Sequence, residues 1–455
     1  MPPERPQLRS TRIEPTSQRP RLIVLTDISS LASGVREPDD GQSLIRLMLY
    51  TNDLDVEGLI ASSNLGHGQV VRPELIHTVV DAYAQVRPSL LLHSDRYPSA
   101  EALHARVRAG QPIAGPKVPV AASIGEGKDT DASRWITEIV DRPDPRPVWV
   151  TIWGGAADLA QALWYIQHTR TAVELQAFVA RLRVHAIYDQ DSTCAWIKQQ
   201  FPDLFYITRG HGVRGMYRGG DLTLVSPEWV EGHVRDDHGA LGALYPNYDG
   251  GDIWSRELGR VRGVKEGDTP SFLALLPNGL GDPLQPTWGN WGGRFEGSAN
   301  RFADARDAHP SAAHDPDPRM AAVHRWRPAF QADFAARLDW CVQPYAGANH
   351  PPVHTHDARL RELTVAPGAR VTLDARGWMD PDGDRLTYQW SFYREPSTYA
   401  GPLMIEDPAA EVTHCVAPQV TERQTIHIVV TVQDRGSPPL SSYERLILTV
   451  DPDHR

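Results

Sequence analysis

From residue 21 onward, short apolar runs alternate with segments whose apolar residues recur at helical spacing. Runs of strand length fall at residues 21–26, 56–61, 148–152, 184–188 and 204–207. Helical patterns fall at residues 41–50, 74–86, 100–107, 133–140, 157–167, 171–182 and 193–200. Because strands and helices that alternate in this way form βαβ units, we expect an α/β domain over residues 21–340, with a mainly parallel sheet and helices on both faces.

The pattern changes after residue 340. Residues 341–352 are rich in Pro, Gly and Asn and predict a linker. Over residues 353–455 the apolar positions alternate with period two, and turn sequences such as DPDGD and DRGSPP separate the runs. This pattern predicts an immunoglobulin-like β-sandwich. The Pro- and Arg-rich residues 1–20 predict a flexible arm.

Composition narrows the class of protein. The chain has 455 residues with ordinary hydrophobic and charged fractions and a net charge of −11, which argues against nucleic acid as a partner. No apolar run approaches the ~20 residues that span a membrane, and three scattered cysteines give no disulfide framework. The first 20 residues lack the apolar core of a signal peptide. As written, the sequence predicts a cytoplasmic protein, or a secreted or periplasmic one whose leader has been removed.

Candidate chemistry follows the predicted strands. In open α/β sheets, ligands bind beyond the carboxyl ends of the strands, so the residues just after each strand are the candidates for a binding site. The side chains or carbonyl groups found there belong to Asp27, Asp39, Asp40, Trp153 and Asp191, and Asp268 comes from a more distant segment. Oxygen donors that converge from several segments are what a hard cation such as calcium needs.

A simpler interpretation stays open for these acids. Asp39 or Asp40 would serve as the N-cap of the helix that follows, and a second adjacent acid could be solvated. Asp27 is harder to explain in that way, because a carboxylate directly after an apolar strand is costly unless it is paired or bound to metal.

The acids also carry a family resemblance. Thr26-Asp27, followed by EPDD and QSLIRLMLY, resembles the Asp-rich signature of nucleoside hydrolases, with extra residues between the first acid and the final pair. The segments GEGKDT, RPVWVTIWGGAADLAQAL, EGDTPSFLALLPNGL, WGNWGGR, VTLDARGWMDPDGDRLTYQW and DRGSPPL are similar to a branch known as cellulose-binding proteins. That branch joins a nucleoside-hydrolase-like domain to an immunoglobulin-like C-terminal domain, so the resemblance implies the same fold here.

The resemblance also implies roles for individual residues. Asp27 would ligate Ca²⁺ and take a proton from the attacking water, and Asp40, Asp268 and the carbonyl of Trp153 would complete the metal ligands. The residues implied or expected to bind substrate are Asp39 and Asn64 on the sugar hydroxyls, Asp191, and the aromatic pair Trp288 and Trp291. For either tryptophan, a place in the core or in loop packing is an equal expectation.

Three departures from the family pattern bear on activity. Residues 29–36 are inserted within the acidic motif. Gly267 stands where many nucleoside hydrolases have a His that assists the leaving base, and Ala157-Asp158 follows WGGA where the branch has Asn-Thr. The metal-binding acids are therefore kept, whereas the side that recognises the base is altered.

Three other sequence motifs give weaker evidence for a functional site. GHGVRG at residues 210–215 matches GxGxxG but no amphipathic helix follows it, so it does not predict a dinucleotide site. Histidines 350, 354 and 356 fit a solvated linker. The turn DPDGD at residues 380–384 is similar to a calcium loop but lacks the downstream Glu of an EF-hand, so we expect a plain turn between strands, with a calcium site as the alternative.

Two functions remain. The first is calcium-dependent hydrolysis, by a metal-activated water, of an N- or O-glycosidic bond in a pentofuranoside or similar small glycoside. The second is binding of carbohydrate, such as cellulose, without catalysis. The expected partners are a small glycoside, nucleoside or oligosaccharide, with a homo-oligomer as an open alternative to a monomer.

Overall fold

The computed structural model describes residues 11–13, 19–32, 38–63, 69–249, 260–308, 317–355 and 360–454. The chain divides into two compact units. The α/β unit comprises residues 19–276 and 291–347. The C-terminal unit comprises residues 277–290 and 348–455, together with the N-terminal residues up to 18.

The strands are numbered in chain order. The first nine are β1 (Thr11–Ile13), β2 (Arg21–Thr26), β3 (Asp55–Ala61), β4 (Val107–Ala109), β5 (Val148–Ile152), β6 (Leu182–Ile187), β7 (Phe205–Arg209), β8 (Phe295–Ser298) and β9 (Arg301–Asp304). The remaining ones are β10 (Val353–His354), β11 (Leu360–Val365), β12 (Arg370–Asp374), β13 (Trp378–Met379), β14 (Thr387–Tyr393), β15 (Val412–Val416), β16 (Gln424–Gln433) and β17 (Ser441–Val450).

The α-helices among the described residues all fall in the α/β unit. They are α1 (Asp39–Met48), α2 (Pro73–His93), α3 (Ala100–His104), α4 (Val120–Ser123), α5 (Asp131–Asp141), α6 (Ala157–Thr169), α7 (Ala172–Ala180), α8 (Ser192–Gln200), α9 (Pro227–Val230), α10 (Gly239–Leu244), α11 (Pro270–Leu273), α12 (Pro318–His324) and α13 (Arg327–Asp339).

The α/β unit is built on an eight-stranded sheet with the order β4-β3-β2-β5-β6-β7-β9-β8. All neighbouring pairs are parallel except the edge hairpin of β8 and β9. The apolar runs of β2, β5 and β6 are buried because helices cover them, and their residues form one core with α5, α6 and α8. The strand order reverses between β2 and β5, and such a switch point opens a crevice at the carboxyl ends of the strands.

The C-terminal unit contains a five-stranded sheet with the order β1-β11-β17-β16-β14. Two small sheets, β10 with β13 and β12 with β15, complete its β structure among the described residues. The alternating apolar residues of β12, β14, β16 and β17 are buried in one core, as their period of two predicts.

The predicted fold class is confirmed, and the structure adds four details. Residues 11–13 form a strand that pairs with β11 rather than part of a flexible arm. β4 and the hairpin of β8 and β9, which were not predicted, extend the sheet. Residues 277–290 belong to the C-terminal unit because the buried Arg445 side chain donates to the carbonyl oxygens of Leu280 (2.7 Å) and Gly289 (3.0 Å). No helix in the described part of the chain is long and apolar enough to cross a membrane.

Candidate functional site

Three carboxylates meet beyond the carboxyl ends of the central strands. Asp39, Asp40 and Asp268 each place one carboxylate oxygen within 4.8 Å of the others. Asp40 and Asp268 are buried, with 7% and 3% of their surface exposed, and Asp39 is half-buried. The sequence separates Asp268 from the other two by more than two hundred residues, so the fold alone brings this group together.

Helix α1 positions two of these acids in its first turn. Pro38 stands at the N-cap and gives no side-chain cap, so the interpretation of Asp39 or Asp40 as the N-cap is wrong. The helix dipole favours negative charge in this turn. The Thr26 hydroxyl, at the end of β2, donates to Asp40 Oδ1 and fixes the carboxylate against the central strand.

A buried ion pair positions the third acid. Arg46 of α1 lies 2.7 Å from Glu266, and both side chains are fully buried. Glu266 also accepts a hydrogen bond from the Tyr245 hydroxyl at 2.5 Å. Removing one partner of such a pair would leave an uncompensated buried charge, so the pair holds the segment of Glu266 firmly against α1. Asp268, two residues later, is thereby brought to the start of the same helix.

Asp27, which directly follows β2, lies beside this group and packs against the turn after β5. A Cβ atom added to Gly154 would lie only 2.5–2.7 Å from the side chain of Asp27, so only glycine permits this approach. The backbone N–H of Asp27 donates a hydrogen bond to the carboxylate of Asp40, and the charge of Asp27 raises the pKa of Asp268. It is nevertheless not one of the three acids whose oxygens lie within 4.8 Å of one another.

Trp153 joins the turn after β5 to the Asp268 segment. Its buried indole N–H donates to Ser271 Oγ at 2.9 Å, and the Ser271 hydroxyl donates to the backbone carbonyl of Asp268 at 2.6 Å. The Trp153 carbonyl, which the family resemblance assigns to calcium, accepts a hydrogen bond from the Gln190 side-chain amide. A carbonyl oxygen has two lone pairs, so one remains for another donor or a cation.

Burial makes the negative charges of the group costly. The pKa of Asp40 is raised to about 7, first by burial and then by the charge of Asp39. The pKa of Asp268 is raised well above its usual value, again first by burial and then by the charges of Asp40, Asp39 and Asp27. Lys265 opposes these effects: its buried ammonium lies 3.5 Å from Asp39 Oδ2 and lowers the pKa of Asp268.

The donor set fits a hard cation. Asp268 Oδ2 is buried and has no hydrogen-bond partner among the residues that the structure describes. An ionised oxygen without a partner is expensive in the interior, whereas a bound cation would satisfy it and reverse the repulsion among the three acids. Carboxylate oxygens, without sulfur or imidazole, favour Ca²⁺ or Mg²⁺ over zinc or copper.

The other predicted substrate-binding residues have different surroundings. Asp191 caps α8: its Oδ1 accepts from the backbone N–H groups of Thr193 (2.9 Å) and Cys194 (3.2 Å), while Oδ2 accepts from the Ala156 N–H at 3.0 Å. Asp191 therefore has a structural role, as the cap of α8, that the sequence did not predict. Sugar binding by Asp191 stays a prediction. Asn64 lies outside the described residues.

The two tryptophans belong to different units, and binding of substrate by either stays a prediction. Trp288 is in the C-terminal unit, where its ring packs edge-to-face on His427 with centroids 5.5 Å apart. Trp291 is in the α/β unit, only 3% exposed and packed against Phe330. Packing explains the position of each ring.

Sequence reasoning missed three polar residues near the site. Ser62 and Ser63 directly follow β3, and their buried hydroxyls lack hydrogen-bond partners in the described part of the chain. Their place after a central strand is the same signal that identified Asp27. The third, Lys265, gave no such signal because its proximity to Asp39 depends on how distant segments pack.

The positions that depart from the family pattern have different surroundings. Asp158 is buried and accepts from the backbone N–H of Gln111 at 3.0 Å and from the Thr130 hydroxyl at 2.6 Å, so it links two loops. Gly267 has no side chain to donate a proton, and a Cβ atom added there would lie 3.3 Å from Asp39 Oδ2. Most of the inserted residues 29–36 lie outside the described part of the chain.

Comparisons with known proteins agree with this architecture. A family model described as "Cellulose-binding Sde182, nucleoside hydrolase-like domain" matches residues 21–295. A second, described as "Cellulose-binding protein Sde0182, C-terminal domain", matches residues 370–450. A search of curated protein sequences gave no match.

Among solved structures, a nucleoside hydrolase-related protein from Saccharophagus degradans, associated with carbohydrate metabolism, is 32% identical. The match covers 95% of this chain and 100% of that one, with a TM-score of 0.77. Two protocadherin structures, mouse PcdhgC3 and protocadherin gamma B7, are 18% and 19% identical. Each covers 22% of this chain, with 33% and 25% of their own chains matched and a TM-score of 0.15, so neither supports an argument.

Proposed function

Because the chain belongs to the family of cellulose-binding proteins with a nucleoside-hydrolase-like domain, we propose that its α/β unit is a calcium-dependent glycoside hydrolase. The substrate would be a pentofuranoside or similar small glycoside with an N- or O-glycosidic bond. The observation that supports this proposal is the convergence of Asp39, Asp40 and Asp268 within 4.8 Å, with the buried Asp268 Oδ2 lacking a partner.

In this proposal some acids bind calcium and one acts as the general base. Asp40 and Asp268, with Asp27 and the Trp153 carbonyl, would hold Ca²⁺. When bound, calcium would lower the pKa of a water molecule and anchor the sugar hydroxyls. Asp27, the least enclosed of the four oxygen donors, accepts the proton of the attacking water as the general base.

Asp39 and its neighbours act on the sugar. A half-buried carboxylate accepts hydrogen bonds from two vicinal hydroxyls well, and the ammonium of Lys265, 3.5 Å from Asp39 Oδ2, helps to hold the carboxylate in place. The negative charge of the group also stabilises positive charge that develops at the anomeric carbon in an oxocarbenium-like transition state. No covalent nucleophile is required.

The leaving group receives less help than in enzymes with an acid at this place. Gly267 offers no proton donor, so departure depends on the leaving group's own stability as an anion. Aryl glycosides and nucleosides with acidic bases should therefore react faster than substrates with alkoxide leaving groups.

A second candidate function is carbohydrate binding without turnover. It is favoured by Gly267 at the place of the leaving-group acid, and by the hydrogen bond from Gln190 that already occupies one side of the Trp153 carbonyl. The family description as cellulose-binding agrees with it. In this case Asp39 and a cation would retain the sugar, and Asp27 would have no proton to accept.

A panel of nucleosides and aryl glycosides, assayed with calcium and with EDTA, separates the two functions. Asp27→Asn keeps the shape and one oxygen but removes the base. We expect a ~10²–10⁴-fold loss of turnover for this variant, with sugar binding reduced much less. Asp39→Ala is the matched variant: it should weaken binding under both functions, because the sugar hydroxyls lose their acceptor.

The outcomes differ clearly. Calcium-dependent turnover by the wild type, lost in Asp27→Asn, supports the hydrolase. Absence of turnover with every substrate, together with retention of a glycan that depends on Asp39, supports the binding protein. Equal activity of Asp27→Asn and the wild type would contradict the assigned role of Asp27 even if the protein is a hydrolase.

A further inference from the structure

The turn DPDGD, which follows β13 in the C-terminal unit, holds one acid in an unusual setting. Asp380 Oδ1 accepts hydrogen bonds from the backbone N–H groups of Asp382 and Asp384, both at 2.9 Å. Gly383, with a φ of +86°, completes the turn. These bonds explain why an Asp begins the turn, but they use only Oδ1. The other oxygen, Oδ2, is buried and has no hydrogen-bond partner among the described residues.

A second acid with the same property follows β16. Asp434 is 1% exposed, and its Oδ1 accepts from the Asn349 amide (3.1 Å) and the backbone N–H groups of Gly436 (2.9 Å) and Leu440 (3.0 Å). Its Oδ2 is also buried and without a hydrogen-bond partner in the part of the chain that the structure describes. Three donors fix the direction of this carboxylate, so the unused oxygen is held in place rather than left to rotate.

The two acids act on each other across the space between their turns. Burial raises the pKa of Asp434, and the charge of Asp380 raises it further. The two carboxylates lie in turns that follow separate strands, and backbone donors hold each of them in place. Their mutual repulsion is unfavourable unless a positive charge or a proton lies between them. Arg and Lys donors to the two free oxygens are absent from the described ion pairs and hydrogen bonds, and a small cation bound between the turns would satisfy both oxygens.

We propose that Asp380 and Asp434 bind a divalent cation of the calcium type in the C-terminal unit. A cluster of acids in a turn is common without an ion, and here the distinguishing feature is the rigid, buried Asp434 with its unsatisfied oxygen. Oxygen donors alone select a hard cation, and Ca²⁺ accepts backbone carbonyls and waters for its remaining positions. This site is separate from the acids of the α/β unit and does not depend on the proposed hydrolysis.

The cation would have a structural effect. It would tie the turn after β13 to the turn after β16, which the small sheet of β10 and β13 does not do. His350 already holds the first turn, because its Nδ1 and backbone N–H contact Asp382 at 2.9 and 2.8 Å. Asp382 is therefore occupied by the protein itself, and it provides an internal control with the same charge in the same turn.

The test is equilibrium dialysis of the full-length protein with radioactive calcium at neutral pH. Asp434→Asn and Asp380→Asn each keep one acceptor oxygen for the backbone donors and remove the charge. We expect each variant to bind one calcium ion fewer per chain than the wild type. Asp382→Asn removes a charge of the same sign from the same turn and should bind as many ions as the wild type.

A parallel Asp268→Asn variant identifies ions bound by the α/β unit. If the α/β unit binds no ion, Asp268→Asn should bind as many ions as the wild type, while Asp434→Asn should still bind one fewer. Failure of the proposed site in the α/β unit can therefore be distinguished from failure of the proposed site in the C-terminal unit. Equal binding by Asp380→Asn, Asp434→Asn and the wild type would overturn the inference. If circular dichroism shows that Asp434→Asn is unfolded, Asp380→Asn decides alone, because its turn keeps both backbone bonds.

Discussion

The substitution Asp268→Asn should make the cation-free protein more stable while removing its response to calcium. Asp268 is buried, and its carboxylate lies within 4.8 Å of those of Asp39 and Asp40. Two full charges at that distance repel by about 3.5 kcal/mol at an effective dielectric constant of 20. Asp40, with a pKa of about 7, is partly protonated at neutral pH, and Lys265 offsets part of the rest. We therefore expect a net gain in the free energy of unfolding of about 1–3 kcal/mol.

Calcium should reduce or reverse the stability advantage of the variant. A ligand at about 100 times its dissociation constant stabilises the folded wild type by about 2.7 kcal/mol, whereas the variant lacks a charged ligand and gains less. Scanning calorimetry in EDTA and then in calcium measures both effects. In EDTA the transition of the variant should lie about 2–5 °C above that of the wild type, and in calcium the difference should shrink or change sign.

Asp158→Asn provides the matched control for this experiment. Asp158 is also a buried carboxylate of the α/β unit, but Gln111 and Thr130 satisfy it. Its substitution should leave the calcium-induced shift unchanged. If Asp268→Asn is less stable than the wild type in EDTA and keeps the full calcium shift, Asp268 is not part of a strained cation site and the reasoning fails.

Three further predictions concern single residues. Lys265→Met removes the positive charge 3.5 Å from Asp39 and should tighten calcium binding in the α/β unit roughly tenfold or more by calorimetric titration. Gly154→Ala places a Cβ atom 2.5 Å from that of Asp27, so it should displace the general base and reduce turnover at least about tenfold, measured by sugar release. His427, whose pKa is lowered to about 3 by burial and a neighbouring Arg, stays neutral in the fold, while the unfolded chain binds its proton below about pH 6.5. The contribution of His427 to the free energy of unfolding should therefore fall by about 1.4 kcal/mol per pH unit between about pH 6.5 and pH 3, measured by urea unfolding as the difference between the wild type and His427→Asn.

A matched control variant tests each of these three predictions. Lys265→Arg keeps the charge and should keep the wild-type affinity, so equal affinities in the Met and Arg variants would contradict the electrostatic argument. Gly232→Ala adds a Cβ atom with no neighbour within 4 Å and should be silent. The free energy of unfolding of His427→Asn should rise relative to that of the wild type as the pH falls, and parallel curves would exclude His427 as a titrating group.

Much of the fold could be predicted because local pattern and burial agree. The apolar runs at β2, β5 and β6 are buried on both faces, and the helices between them keep their spacing. The three-residue β4 and the largely exposed β8 carry too few apolar residues to give a pattern. Residues 277–290 were placed in the wrong unit because Arg445, far along the chain, holds their carbonyl groups.

The candidate site could be predicted only in part. Asp27 and the pair at the start of α1 follow or face a central strand, and that position is visible in the sequence. The roles of Arg46 and Lys265 depend on contacts across about 220 residues, and no local pattern records them. The role of Trp288 stayed open between ligand binding and packing, because an aromatic side chain near a glycine-rich loop gives the same sequence pattern in both cases; the structure shows its packing on His427.

A crystal of the full-length protein soaked with calcium and ribose tests the central claim most directly. We predict an ion in contact with Asp40 and Asp268, with oxygen distances near ~2.3–2.6 Å, and ribose hydroxyls on Asp39. Asp27 should then lie within hydrogen-bonding distance of a water next to the anomeric carbon. The absence of an ion among Asp39, Asp40 and Asp268 at millimolar calcium, with their side chains ordered, would contradict the account.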